Sequence, residues 1–207
     1  MKFVGCDLLE FLETITKLID DGHNVDVIYL DFSKAFDKVP HVRLMSKVRA
    51  HGIVGEIAGW IEEWLNGRQQ RVVLNGKESK WANVLSGVPQ GSVLGPILFL
   101  IYINDIDDAV DCVETFMKKF ADDTKVASVT DNLTQCRKLQ DQLDALLRWS
   151  AIWQMSFNID KCVVMHIGNT NLNHQYMMDD VPLKVTEREK DKRCICPAIL
   201  KTKCPNS

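Results

Sequence analysis

No stretch of this 207-residue sequence is apolar for long enough to cross a bilayer. The longest run, Ile97 to Ile103 behind Pro96, falls far short of the roughly 20 residues a membrane helix needs, and reads as a buried helix. The N-terminal stretch is interrupted by Asp7, Glu10 and Glu13 before the apolar core of a signal peptide could form. The expectation is an intracellular chain, nuclear or cytoplasmic, with no membrane partner and no secretion. Net positive charge is also missing: 25 Lys and Arg against 28 Asp and Glu leave −3. Without a whole-chain basic field, any contact with nucleic acid must be local. Seven cysteines are too few, odd in number and too scattered for a disulfide framework, which suits reduced thiols. The one tight group, Cys194, Cys196 and Cys204, lacks a fourth ligand for zinc. No repeat at a period of 20 to 50 residues is present, so a solenoid is excluded.

What is present is an ordinary globular composition, 46% hydrophobic and 26% charged, with room for one domain. Leu8, Phe11, Leu12, Ile15, Leu18 and Ile19 recur at helical spacing up to Gly22. Val25 to Phe32 (VDVIYLDF) then has the β-branched and aromatic character of a strand, and alternation puts Val25, Val27, Tyr29 and Asp31 on one face. Residues 41–50 and 56–66 predict two short helices, the second carrying Trp60 and Trp64 on one side as core packing. Asn75-Gly76 between two β-rich runs predicts a hairpin over residues 71–84. Its Arg68, Arg71, Lys77 and Lys80 are either solvated edge charges or contacts to a phosphate backbone. Glycine density in LSGVPQGSVLG, residues 85–95, implies close backbone approach before a helix opened by Pro96. Strands on both sides of Ala121-Asp122-Asp123 predict a second hairpin. Asn132 caps a helix running to about Trp153, with Leu133, Cys136, Leu139, Leu143, Leu146 and Leu147 as its buried stripe. Met155 to Ile159 and Cys162 to Ile167 read as strands, and residues 187–207 as a poorly ordered tail. Asp37 and Asp105 are assigned to helix capping or to the surface.

Three strand-end carboxylates carry the chemistry: Asp31, and the pair Asp122 and Asp123 at a hairpin apex. Gathering them costs Coulomb repulsion, which a hard divalent cation with oxygen ligands offsets. Two such ions about 4 Å apart serve phosphoryl transfer, one activating the attacking oxygen and one stabilising the leaving oxygen. An Asp-Asp turn beside a strand-terminal Asp accounts for the same residues without a metal.

A resemblance bears on that choice. YLDFSKAFDKVPH at 29–41, SGVPQGSVLGP at 86–96, FADD at 120–123 and Asn158-Ile159-Asp160-Lys161 follow the order and separations of the palm motifs of reverse transcriptases. Phe120 and the DFSKAFDKVPH string resemble the non-LTR (LINE-type) retrotransposon branch; group II intron and retroviral relatives usually place Tyr at that position. The likeness runs from about residue 3 to about residue 191. It implies an α+β palm over residues 1–186: an antiparallel sheet bearing Asp31 and the Asp122-Asp123 hairpin, with helices packed on one face.

The resemblance further implies that Asp31 and Asp122 bind two Mg²⁺ ions, for which Mn²⁺ can substitute, with Asp123 supporting them and Phe32 lending its backbone carbonyl. Phe36 matches the aromatic steric gate that favours deoxynucleotides, with core packing as its alternative reading. Gln90 and Gly91 match the pair at the incoming nucleotide and template, and Lys161 the lysine that neutralises or protonates the leaving pyrophosphate. The implied partners are an RNA template with a DNA primer and deoxynucleoside triphosphates; nothing implies an oligomeric state. The fingers segment ahead of the palm has no counterpart. After Lys190-Asp191 the family's Leu-Gly-Val and thumb give way to KRCICPAILKTKCPNS, so fingers and thumb are expected to be largely missing. The expectation is an intact metal-binding palm in an incomplete polymerase. Its rivals are a catalytically inactive retrotransposon-derived relic serving as a nucleic-acid or protein binding module, and a group II intron maturase relative, against which Phe120 weighs.

Overall fold

The VDVIYL run becomes strand β1 (Val25–Leu30), and it recruits partners from much later in the sequence. The computed structural model describes residues 4–110, 115–120, 123–191 and 194–197. Five helices are present among them: α1 (Val4–Asp20), α2 (His41–Ala50), α3 (Gly55–Leu65), α4 (Leu94–Ile103) and α5 (Leu133–Trp153). The strands after β1 begin with four short ones, β2 (Gln69–Gln70), β3 (Val73–Leu74), β4 (Lys77–Glu78) and β5 (Ala82–Asn83). Then come β6 (Thr115–Phe120), β7 (Asp123–Val129), β8 (Val163–Ile167), β9 (Met177–Met178), β10 (Val181–Pro182), β11 (Lys184–Val185), β12 (Arg188–Asp191) and β13 (Cys194–Pro197). The chain divides into two compact units, one of Met1–Phe32, Ile106–Ser150 and Ser156–Ser207, the other of Ser33–Asp105 and Ala151–Met155.

The first unit holds a five-stranded sheet in the order β11-β8-β1-β7-β6, antiparallel except where β11 joins β8 in parallel. As the central strand, β1 is buried on both faces, which explains its nearly continuous apolar sequence. Val25 and Val27 meet Ala127, Met165 and the α1 residues Phe11 and Ile15 in one core. Each of these side chains larger than Ala127 contributes about 1.5–3 kcal/mol on burial. On the other face Asp26, Ile28 and Leu30 are equally enclosed. There Trp149 of α5 packs 6.3 Å from Phe32, and Cys136 of α5 hydrogen-bonds Tyr176, itself bonded to Asp26. The result is the α+β, mostly antiparallel sheet with packed helices that the resemblance implied, α1 lying on one face and α5 on the other. Helix α5 begins as expected: the Asn132 side chain accepts from the Gln135 amide at 3.1 Å while Gln135 accepts from the Asn132 amide at 3.2 Å. Its stripe buries Cys136, Leu139, Leu143 and Leu146, whereas Leu133, in the first turn, is exposed.

Met155 to Ile159 is not a strand. Phe157 makes one isolated bridge to Phe32, and a 3₁₀ turn at Ile159–Lys161 intervenes before β8. Positive φ at Gln154 ends α5 abruptly, leaving few residues to extend before that turn. Within the segment expected to be poorly ordered, β12 and β13 pair as an antiparallel hairpin.

The second unit packs α2 against α3 and α4 through Leu44, Met45 and Val48, with Ile61, Leu65, Leu98 and Phe99 also buried. Two expectations fail here. Trp60 is 55% exposed, stacked on Trp64 away from the buried face of α3. Helix α4 buries Leu98, Phe99, Tyr102 and Ile103 but exposes Ile97 and Leu100, so it is half-buried. Asp105 is no cap either: it accepts a 2.5 Å ion pair from Lys47, a lysine of α2 that is 4% exposed and lies 3.6 Å from the Trp153 ring centroid. Asp37 does not cap α2, whose N-cap is Pro40, and is exposed, in keeping with the surface alternative.

Candidate active site

Asp31 is the first residue past β1, and the β1–β7 register decides what stands beside it. Leu30 pairs with Thr124, so the same register carried one residue further sets Asp31 opposite Asp123, the first residue of β7. Directly opposed positions in an antiparallel pair lie about 5 Å apart and project to the same side. The β1–β7 register thus brings the two acidic residues to the same end of the sheet. Asp122 lies outside the described residues. Among the described residues no group of three His, Cys, Asp or Glu side chains forms a metal cluster.

On its other side Asp31 is held by the turn after Phe157. The ladder steps from Tyr29↔Val163 to Phe32↔Phe157, and the extra residues loop out as the 3₁₀ turn. The Asn158 amide donates to the Asp31 carbonyl at 2.7 Å, and the Lys161 amide closes the turn onto Asn158. Lys161 is thereby delivered to Asp31, with Nζ 3.7 Å from Oδ2. The Asp31 side chain is 34% exposed and that of Lys161 64%. The backbone carbonyl of Asp31 also faces the Cys162 thiol at 3.9 Å, and burial pushes that thiol up to about 11. The Phe32 ring is buried, stacked on Phe157 at 4.6 Å, so Phe32 can meet a ligand only through its main chain.

The remaining candidates belong to the second unit. Phe36 stacks on Phe99 with ring centroids 4.5 Å apart and stays half-buried. Its carbonyl accepts from the Val88 amide at 2.8 Å, the Gly87 amide donates to Val39 at 2.8 Å, and the Ser86 hydroxyl donates to Asp37 at 2.8 Å. The Phe36 turn and the glycine-rich loop are therefore one hydrogen-bonded body. Gly87 makes this possible: at φ +91° a Cβ there would sit 2.7 Å from the Asp37 carbonyl oxygen. Gln90 and Gly91 are exposed on that loop, and a Cβ at Gly91 would meet nothing within 4 Å. Sequence reasoning singled out Gly91 and missed Gly87, although the glycine density pointed at the whole loop.

The buried cluster around Asp26 was missed altogether. Its carboxylate takes hydrogen bonds from His166 at 2.7 Å, Tyr176 at 2.7 Å and Asn171 at 2.8 Å. Burial, reinforced by the Asp26 charge, raises the Tyr176 hydroxyl far above its ordinary value and keeps it a donor. The one signal in the sequence was an Asp inside an apolar strand.

Comparison with known proteins bears on the whole chain. Residues 7–195 match the family model of the reverse transcriptase (RNA-dependent DNA polymerase). The RNA-directed DNA polymerase from mobile element jockey of Drosophila melanogaster is 30% identical over 147 residues, 68% of this chain and 16% of that protein. Its Drosophila funebris counterpart is 33% identical over the same shares. The chain thus spans about a sixth of the length of these relatives. In fold it is similar to apo telomerase from Candida tropicalis, with a TM-score of 0.59 at 13% identity over 86% of this chain and 38% of that one. The opposed strand-end carboxylates sit in the sequence motifs that this family model spans, and the chain belongs to the reverse transcriptase family, with relatives on its non-LTR retrotransposon branch.

Proposed function

We propose that this chain is the palm of an RNA-directed DNA polymerase that adds deoxynucleotides to a primer 3′-hydroxyl on an RNA template. The observation that carries the reading is the β1–β7 register, which brings Asp31, just past β1, and Asp123, first in β7, to one sheet end, with the Lys161 ammonium 3.7 Å from Asp31. Carboxylate oxygens on a partly exposed strand end suit a hard divalent cation. Asp31, Asp122 and Asp123 would hold Mg²⁺ or Mn²⁺, with the Phe32 carbonyl as a further oxygen donor. When bound, such ions lower the pKa of a hydroxyl nucleophile and neutralise charge on the phosphates.

The chain's own residues do the rest. Lys161, on a turn anchored to Asp31, holds its ammonium where a departing pyrophosphate needs positive charge and a proton. Phe36, braced by Phe99, presents a ring edge that excludes a ribose 2′-hydroxyl. The loop bearing Gln90 and Gly91, tied to that turn by Gly87 and Val88, offers backbone amides to the incoming nucleotide.

The test is primer extension of oligo(dT) on poly(rA) with Mg²⁺, comparing the parent chain with Asp31→Asn and Asp122→Asn. Extension by the parent alone is expected. Extension no greater than in the two variants overturns the polymerase reading and leaves a noncatalytic fold.

A further inference from the structure

Between α3 and the glycine-rich loop the chain sends out an arm. Residues 69–83 are all exposed, yet they are paired: β2 with β5 and β3 with β4, across the Asn75-Gly76 turn whose φ angles are both positive. The pairing contains a β-bulge. Val72 faces Ser79, but Gln70 faces Ala82, so Lys80 and Trp81 together oppose Arg71. Bulges re-aim side chains, and this one brings Arg71 over the Trp81 ring, 4.6 Å from its centroid, while Trp81 stays 58% exposed.

The charge on the arm runs against the rest of the molecule. Arg68, Arg71, Lys77 and Lys80 face one acidic residue, Glu78, in a chain that is −3 overall. Arg71 pairs with Glu78 and so cancels that carboxylate. Among the described residues, Lys77 and Lys80 pair with no carboxylate. An exposed aromatic ring set between uncommitted cations is the composition that holds single-stranded nucleic acid, phosphates on the cations and a base on the ring. A second copy of the chain fits less well, because two basic arms would repel.

We propose that this arm is a binding site for single-stranded nucleic acid, with Lys77 and Lys80 on phosphates and Trp81 stacked on a base. The proposed contacts use none of the carboxylates, and binding needs no extension. The experiment is fluorescence anisotropy of labelled oligouridylate bound to the full chain across a KCl series. Lys77→Ala with Lys80→Ala is expected to flatten the slope of log affinity against log salt by about 0.7 per lost contact. Trp81→Ala is expected to weaken binding by between about fivefold and a hundredfold with the slope unchanged. All three positions are exposed, and circular dichroism checks that the variants fold. Parental affinity and slope in both variants overturn the proposal. So does a Trp81→Ala variant that loses self-association in light scattering while keeping oligouridylate affinity, which makes the arm a protein contact. Oligouridylate binding is read without divalent metal or deoxynucleotides, so a failed extension assay and a failed arm are told apart.

Discussion

Strand β1 and its first residue beyond carry two aspartates with opposite fates. Asp26, inside the strand, is fully buried, and both its oxygens accept hydrogen bonds, from His166 and Asn171 on one and Tyr176 on the other. Asp31, at the strand end, is 34% exposed and has Lys161 beside it at 3.7 Å. The difference teaches that charge alone does not mark a functional carboxylate. One whose hydrogen bonds are all met inside the protein contributes to folding; one left at a strand end with a matching carboxylate opposite is available to a ligand.

The contrast can be broken most forcefully at Asp26. Asp26→Ala leaves His166, Tyr176 and Asn171 buried without their acceptor and is expected to cost about 3–5 kcal/mol in urea unfolding. A loss under about 1 kcal/mol would remove the distinction between the two ends. Alkaline pH probes the Asp31 end next. The Cys162 thiol is held protonated to about 11, against an ordinary value of 9.0. Between those values the unfolded chain gives up a proton that the folded chain keeps, so stability falls as pH rises. The integrated loss is about 2–3 kcal/mol, absent from Cys162→Ala. Urea midpoints at pH 8 and pH 10.5 read about 2 kcal/mol of it.

Asp31→Asn is expected to change stability by no more than about 1 kcal/mol, because it loses only the exposed pair with Lys161 and no buried partner loses a bond. It should nonetheless weaken Mn²⁺ binding, read by water-proton relaxation, by about tenfold or more. Unchanged Mn²⁺ affinity would place the ion elsewhere. The smallest effect belongs to Lys161→Met: an exposed pair at this distance contributes about 0.2–1 kcal/mol at most, and less at high salt. A larger loss in a thermal melt would show that the turn depends on the ion pair.

The elements around the site were legible because their signals are local. VDVIYL specified a strand, Asn75-Gly76 a turn, and Asn132 with Gln135 a helix start, each within a few residues. Strand patterning put Asp31 at a strand end and predicted the 120–123 hairpin, and the resemblance singled out Phe36. Illegible were features made by distant partners. Nothing near Asp26 announces His166 or Tyr176, nothing near Lys47 announces Asp105 and Trp153, and Trp60 points outward although its spacing suited the core. The 3₁₀ turn that brings Lys161 to Asp31 looked like a link between two strands, because a three-residue excursion leaves no periodicity to read.

The alignment of β1 with β7 also limits how this protein can change. Side chains alternate between faces, so sliding one strand by a single position would turn Val126 toward α1 and Ala127 away from it, and would set Lys125 where Thr124 meets Leu30. The apolar interior forbids that slip, and in doing so it holds the acidic strand ends in step. Insertions and deletions in β7 should therefore be selected against even at positions that touch no substrate: precision at the chemistry is inherited from the intolerance of the core.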